Sequence, residues 1–529
     1  MIASSSKDKF ILAIDHGTSA MKPAIVSTRG EIIGSTCENT PLYLHPGGGA
    51  EQNPEEWWQA FLIAAKNLIN QELVPPENIM AICNTSQWSG TVPVDSNGQH
   101  LMNAIIWMDS RGAPYVRETL KGILNIQGYS LSNLLRWLRK TAGIPTKSGK
   151  DPIAHILYIQ HELPDIFDQA AFFLEPTDYI NLRLSGEVAS SPSTMMLHWI
   201  TNTRDINHPY YDKWLIKKLG IDKEKFPTLK QSTDILGTIK KEVANSLGLN
   251  EDVKVFVGAP DIPSAVIGSG AVRDFEGHIY IGTSSWLTCH VPFKKTDIGC
   301  NIASLPSAIP GRYFIANEQE TAGACLTFLR DQIFYPDDEM KCGSQEVYQE
   351  FDRIVEAVPA GIKKIIFTPW LYGERTPVED PSVRGGFFNL SLDSEKGDII
   401  RAVFEGVAFN SRWILNAVEK FTKRSFEYLN MIGGGAQSDI WCQIFADILN
   451  RNICQVHEPL QANARGAAFI ASVGLGYISF NDIPNLIKIV NTFTPNSSYR
   501  QFYDTLFEEY VRIYETNKNL YRRLNINEM

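Results

Sequence analysis

The tripeptide Gly-Thr-Ser occurs twice in this chain, each time where one strand-forming run ends and another begins. The first copy is Gly17-Thr18-Ser19, within KFILAIDHGTSAMKPAIVST; the second is Gly282-Thr283-Ser284, within GHIYIGTSSWLTCHV. Each reads as the turn of a β-hairpin. Glycine permits a tight turn and a close backbone approach, and Thr and Ser add hydroxyl donors. A loop of free N–H and hydroxyl groups suits a phosphate chain. One such turn is ordinary. Two of them predict two related lobes gripping one polyphosphate.

The rest of the chain is compatible with that plan. A length of 529 residues allows two or three domains, with ordinary hydrophobic (44%) and charged (20%) fractions for a globular protein. The net charge of −10 has no long run of one sign, which argues against a general nucleic-acid binder. The eight cysteines are scattered without a C-x-x-C pair, so buried cytosolic thiols are expected rather than zinc sites or disulfides. No apolar stretch precedes the first strand and no run reaches transmembrane length. A cytoplasmic protein without a membrane partner is expected, and a homodimer is left open.

Along the chain, strands over FILAID, MKPAIVST and EIIGSTC lead to a helix. Its start is signalled by Asn53 at the N-cap, Pro54 at the first position and Glu56. IMAICNTS and VKVFVG read as buried strands, PSAVIGSGA as a helix, and Gly47-Gly48-Gly49 as a flexible loop. Beyond the second hairpin come a helix over ETAGACLTFLRDQIF, a loop over PWLYGERTPVEDPSVRGGFF and a long helix from Gly397. The strand YLNMI, the loop Gly433-Gly434-Gly435-Ala436, a helix, the strand ICQVH and a small-residue helix follow. The expected division is an N-terminal lobe over 1–265, a second lobe over 266–480, and a helical tail over 481–529.

Several residues can carry chemistry. Asp15 precedes the first turn and either caps it or holds Mg²⁺ beside phosphate oxygens. Lys22 either neutralises phosphate or is a solvated strand lysine. Asp261 lies where a strand hands over to a helix; it is a natural N-cap and equally a candidate general base. Gly433 to Ala436 offer backbone that can lie flat against a ribose or purine. No Walker A or G-x-G-x-x-G motif is present. Gln87-Trp88-Ser89 and Trp107, Asp109 and Arg111 combine hydrogen-bonding groups with flat rings, a mixture suited to a sugar or polyol; the alternative is core Trp with capping neighbours.

The ordered series AIDHGTSAMK, AEQNPEEWW, IIWMDSR, TDYINLRLSGE, GAPD, IGTSS, GERTP with DPSVRGGF, and IGGGAQSDIW resembles the FGGY carbohydrate kinases, most closely their xylulose-kinase-like branch. The resemblance implies an α/β fold of two actin-like (ribonuclease H-like) lobes and ATP- and Mg²⁺-dependent transfer to a sugar or polyol hydroxyl in the cleft between them. It implies Asp261 as catalytic base and Asp15 as the metal-associated acid. Gly17, Thr18, Ser19, Lys22 and Thr283 would serve the phosphates, and Gly323, Gly434, Gly435, Ala436 and Asp439 the nucleotide. The acceptor would sit near Gln87, Trp88, Ser89, Trp107, Asp109, Arg111, Asp261 and Ile262. Three positions depart from the usual pattern. Gln87-Trp88-Ser89-Gly90 replaces Gln-Met-His-Gly, Ile262 replaces a polar amide, and a Lys is missing before Trp137. A site that has lost hydrogen-bonding partners discriminates against the original ligand. Two other classes share the turns: an actin-like ATP-dependent scaffold and an inactive sugar-sensing homologue.

Overall fold

The computed structural model describes residues 8–122, 125–126, 129–334 and 345–525; Cys342 lies outside them. The helices that position the site are α1 (Pro54–Ile69), α2 (Asp261–Gly268), α3 (Lys396–Thr422), α4 (Asp439–Leu449), α5 (Ala462–Gly474) and α6 (Arg500–Asn525). Asn53 caps α1 through its side chain, accepting from Glu55 N–H, with Pro54 at the first helical position.

The first sheet contains β1 (Phe10–His16), β2 (Ala20–Ser27), β3 (Ile32–Ser35), β4 (Ile79–Ser86), β5 (Ile235–Thr238) and β6 (Lys254–Phe256), in the order β5-β6-β4-β1-β2-β3. The second contains β7 (Gly277–Ile281), β8 (Ser285–Val291), β9 (Ile302–Pro306), β10 (Tyr313–Ala316), β11 (Tyr428–Ile432), β12 (Asn452–Val456) and β13 (Ile489–Phe493). Its order is β9-β10-β8-β7-β11-β12-β13 beyond a short outer strand. The five strands β3-β2-β1-β4-β6 correspond to β10-β8-β7-β11-β12. In both series two antiparallel pairings are followed by two parallel ones. The two Gly-Thr-Ser turns therefore join equivalent strands, β1 to β2 and β7 to β8.

Side-chain alternation along β1 explains its layers. Phe10, Leu12 and Ile14 enter a core with Trp57 and Phe61 of α1. Ile11 and Ala13 enter another core with Ala464, Ala467, Ala468 and Ala471 of α5. The small residues of α5 let it lie close to the first sheet, although in sequence it follows the second. It also crosses α2 at two glycines. A Cβ on Gly268 would sit 1.8 Å from the Ala462 carbonyl oxygen, and one on Gly466 would sit 1.9 Å from that of Ser264. The helix ends touch backbone to backbone.

Some expectations need correction. Gly47–Gly49 do not form a flexible loop. They close a hairpin between Tyr43–His45 and Gly49–Gln52, and a Cβ on Gly48 would meet Ser110 Oγ at 2.2 Å. Gly47 and Gly48, at φ of +76° and +84°, supply the turn's left-handed backbone, and Gly48 and Gly49 also allow close packing. The helix expected over 320–334 starts at Gly323 and continues from Leu329 to Phe334 as a π-helical turn. Within the segment read as a helical tail, β13 pairs with β12 at the sheet edge before α6 begins. Four cysteines (Cys83, Cys289, Cys325 and Cys442) are buried free thiols and Cys37 is exposed.

Candidate active site

Asp15 follows Ile11 and Ala13 on the face of β1 that α5 covers, two residues before Gly17. Its carboxylate is 5% exposed. Lys22, directly across the hairpin, pairs with it at 2.8 Å, and Asn463 Nδ2 of α5 approaches at 3.4 Å. The Asp15 charge raises the Lys22 ammonium above its ordinary value, so it stays cationic. Lys22 Nζ also lies beside the first turn, 3.5 Å from where a Gly17 Cβ would be. Lys22 is thus ion-paired, with part of its side chain still exposed. Among the described residues no group of three or more His, Cys, Asp or Glu can hold a metal. One carboxylate without a protein cage fits an ion that arrives on a phosphate chain.

Asp261 is the first residue of α2, and the N-cap position falls on Pro260. Its carboxylate is therefore not the N-cap side chain. Its hydrogen bond is from the adjacent Ile262 N–H at 2.8 Å. Burial pushes this carboxyl from 3.8 up to about 7, and the Asp15 and Glu318 charges add to the rise, against the Ile262 N–H and Lys22. Asp261 nevertheless keeps some exposed surface. Residues of the first hairpin and of the second lobe therefore share one electrostatic neighbourhood with it.

The second turn packs against the start of the helix at Gly323. Gly323 N–H donates to the Gly282 carbonyl at 2.8 Å, and Ala322 N–H to that of Thr283 at 2.8 Å. A Cβ on Gly323 would sit 2.6 Å from Gly282 O. Gly433, with φ of +87°, lies over the end of β7, where a Cβ would stand 2.5 Å from Ile281 O. Gly434 has open space above it, the nearest atom being Leu460 Cδ2 at 3.9 Å. Gly435 is packed on Ile281. Ala436 and Asp439 are joined through Gln455, whose Nε2 donates to Ala436 O and Asp439 Oδ1, both at 2.8 Å. Gly433 and Gly435 thus serve close packing on β7, and of the three only Gly434 presents exposed backbone.

On the opposite side, Thr18 gathers the first group of candidate acceptor residues. Its hydroxyl donates to Gln87 Oε1 at 3.0 Å and accepts from Trp107 Nε1 at 3.0 Å. Gln87 Nε2 donates to Gln52 Oε1 at 2.8 Å. Asp109 and Arg111 form a separate, internally satisfied pair: the guanidinium binds Asp109, Glu51 and the Tyr158 hydroxyl. Trp88 is 8% exposed, with its indole N–H committed to the Thr194 carbonyl at 2.9 Å. It packs in one apolar cluster with Phe314, and Ile262 lies against that cluster. Two of the positions that depart from the xylulose-kinase pattern thus meet the same apolar wall. Ser89, at φ +68°, donates to Lys150 O at 2.7 Å.

Sequence reasoning missed four residues here. Gln52 sits in the AEQNPEEWW segment but was not singled out. Buried Glu175 accepts from Gly90 N–H at 2.9 Å, and burial holds its carboxyl well above the carboxylate range. Glu318 pairs with Arg375 of the GERTP loop. Tyr280 had a signal: it stands two residues before Gly282, as Asp15 stands before Gly17.

Family comparisons match this architecture. The N-terminal domain model of the FGGY family of carbohydrate kinases matches residues 10–268, and the C-terminal domain model matches 277–475. The chain belongs to the FGGY family of carbohydrate kinases. It is 29% identical to a xylulose kinase of Bacillus subtilis over 521 residues, covering 97% of this chain and 98% of the relative. Among solved structures it resembles a gluconate kinase and a ligand-bound xylulose kinase, both from Lactobacillus acidophilus. Each gives a TM-score of 0.85 at 26% identity, covering 98% of this chain and 100% of theirs. This FGGY kinase therefore has the two-lobed actin-like fold and an ATP-dependent sugar-phosphorylating activity. A scaffold and a silent sugar sensor give way to an enzyme. Among the described residues no helix is long and apolar enough to cross a membrane.

Proposed function

We propose that this FGGY kinase phosphorylates a hydroxyl of a xylulose-like ketose, with Asp261 as general base. The observation that carries the reading is the Asp261 carboxylate at the start of α2, which shares its surroundings with Asp15 and Lys22 of the first hairpin and Glu318 beyond the second. Asp261 takes the acceptor hydroxyl proton onto a carboxylate oxygen as the oxygen attacks phosphorus. In a loose transition state that proton leaves late, so modest basicity suffices. Lys22, the Gly17–Ser19 turn and Thr283 hold and orient the phosphates. Asp15 is the residue for Mg²⁺, which when bound would neutralise charge on the phosphoryl oxygens. Gly323, Gly434, Gly435, Ala436 and Asp439 receive the nucleoside. Gln87, Trp107 and the wall of Trp88 and Ile262 receive the acceptor; Ser89, Asp109 and Arg111 brace that region. The lobe limits 1–265 and 266–480, with 481–529 as the C-terminal segment, belong to the same reading.

Gluconate is the second candidate acceptor, because a gluconate kinase is as similar in structure as a xylulose kinase. The test is ADP release with D-xylulose, other ketopentoses, D-gluconate and polyols. One acceptor is expected to stimulate release strongly. Asp261→Asn is expected to lower that rate by roughly 10²–10⁴-fold while nucleotide still binds. Near-normal turnover of the variant would refute the base assignment. Slow release indifferent to every acceptor would refute the acceptor class.

A further inference from the structure

Correspondence between the two hairpins places Tyr280 where Asp15 stands, two residues before the turn glycine of an equivalent strand. Alternation along β7 sends Ile279 and Ile281 into the core of the second lobe. Tyr280 takes the other face, against the cluster of Trp286, Ala265 of α2 and Ala462 of α5. Asp15 likewise faces the α2–α5 crossing, from the other sheet. The Tyr280 ring stacks on Trp286, its cross-strand partner, with centroids 3.9 Å apart and planes inclined by 7°. This stack fixes the ring and aims its hydroxyl along the strand toward the turn. A Cβ on Gly282 would lie 2.3 Å from the hydroxyl oxygen.

Among the described residues the Tyr280 hydroxyl has no hydrogen-bond partner, and the residue is only partly buried. Asp15, Lys22 and Asp261 all act on it electrostatically. Burial and the Asp15 charge push the phenol up to about 12, so it remains a neutral donor across the working range.

We propose that Tyr280 is a further catalytic residue, whose hydroxyl donates a hydrogen bond to the phosphoryl group during its transfer. The inference rests on the kinase reading above. Asp15 and Tyr280 then approach the transferring group from equivalent positions of the two lobes, one through metal and one through a neutral donor. A donor aimed at charge that grows in the transition state raises the rate without tightening ground-state binding.

Tyr280→Phe removes one oxygen atom and retains the stack on Trp286, so the fold is preserved. At saturating ATP and acceptor, kcat is expected to fall roughly 10–100-fold, the worth of a hydrogen bond to a charged group. The acceptor KM and Tm are expected to stay within about twofold and about 1 °C of wild type respectively. A second measurement needs no acceptor. Affinity for Mg²⁺, ADP and aluminium fluoride together, read by calorimetry, is expected to weaken about tenfold or more, with ADP alone unaffected. Unchanged kcat, or equal affinity for the fluoride complex, overturns the proposal. Failure of the kinase reading is distinct: wild type would then show no acceptor-dependent ADP release, while the fluoride measurement would still decide on Tyr280.

Discussion

At the scale of single residues, Asp261 ties activity to stability. Under the proposed base role, a carboxyl that keeps its proton up to about 7 loses its active fraction progressively below that value. The acceptor kcat/KM is therefore expected to rise with pH through about 7 and level off above it, measured at fixed ionic strength. The same shift has an opposite effect on folding. In the unfolded chain this carboxyl ionises near its ordinary 3.8, whereas in the folded chain it holds its proton to about 7. Its contribution to stability is fully present below about 4 and is lost as pH rises to about 7. Asp261→Asn cannot ionise. It is expected to melt higher than wild type near pH 8, with the advantage fading below about pH 4, as thermal scans at the two pH values will read. A neighbouring Asp15 and Glu318 make this a place where charge is kept at a cost in stability.

Elements set how those residues meet, and the critical one is the crossing of α2 and α5. Each helix follows the fifth strand of its own lobe's series, and each presents a glycine to the other's backbone. Gly466→Ala puts a methyl group 1.9 Å from Ser264 O, with backbone on both sides and no flexible side chain to yield. A loss of about 1–3 kcal/mol in stability is expected, seen as a lower Tm or denaturation midpoint. Much at this scale is legible in sequence, because hairpins, caps and the buried runs of β1 and β4 are local patterns. The α2–α5 crossing is not, since the pairing of Gly268 with Gly466 spans the chain and gives no local signal. The site divides in the same way. Asp15, Lys22 and Asp261 announce themselves by position beside turns and strand ends. The commitment of the Trp88 indole to Thr194 O, and of Arg111 to Glu51 and Tyr158, depends on tertiary neighbours. Gly47–Gly49 misled because three glycines signal freedom when nothing shows what packs on them.

For the whole molecule, the lobes are fastened on two sides. One fastening is the helix crossing. The other is a contact between the helical region of the first lobe and β10 and the short outer strand of the second. Tyr313 OH donates to Thr203 O at 2.7 Å, Thr296 Oγ1 to Ala142 O at 2.6 Å, and Phe314 packs 6.3 Å from Trp88, centroid to centroid. Phe314→Ala is expected to cost about 3–5 kcal/mol in stability. Because it undercuts the Trp88 wall, it is also expected to raise the acceptor KM more than the ATP KM, which steady-state kinetics with each substrate varied will separate.

The exchange of α5 between lobes bears on any severed form of this kinase. A chain cut between α2 and β7 would leave the first fragment with Ile11, Ala13, Ala81 and Cys83 bare, because the helix that covers them belongs to the other fragment. The second fragment would carry α5 with its alanine face open to water. Each half keeps one core of its own, but the core against α5 forms only when both halves are present.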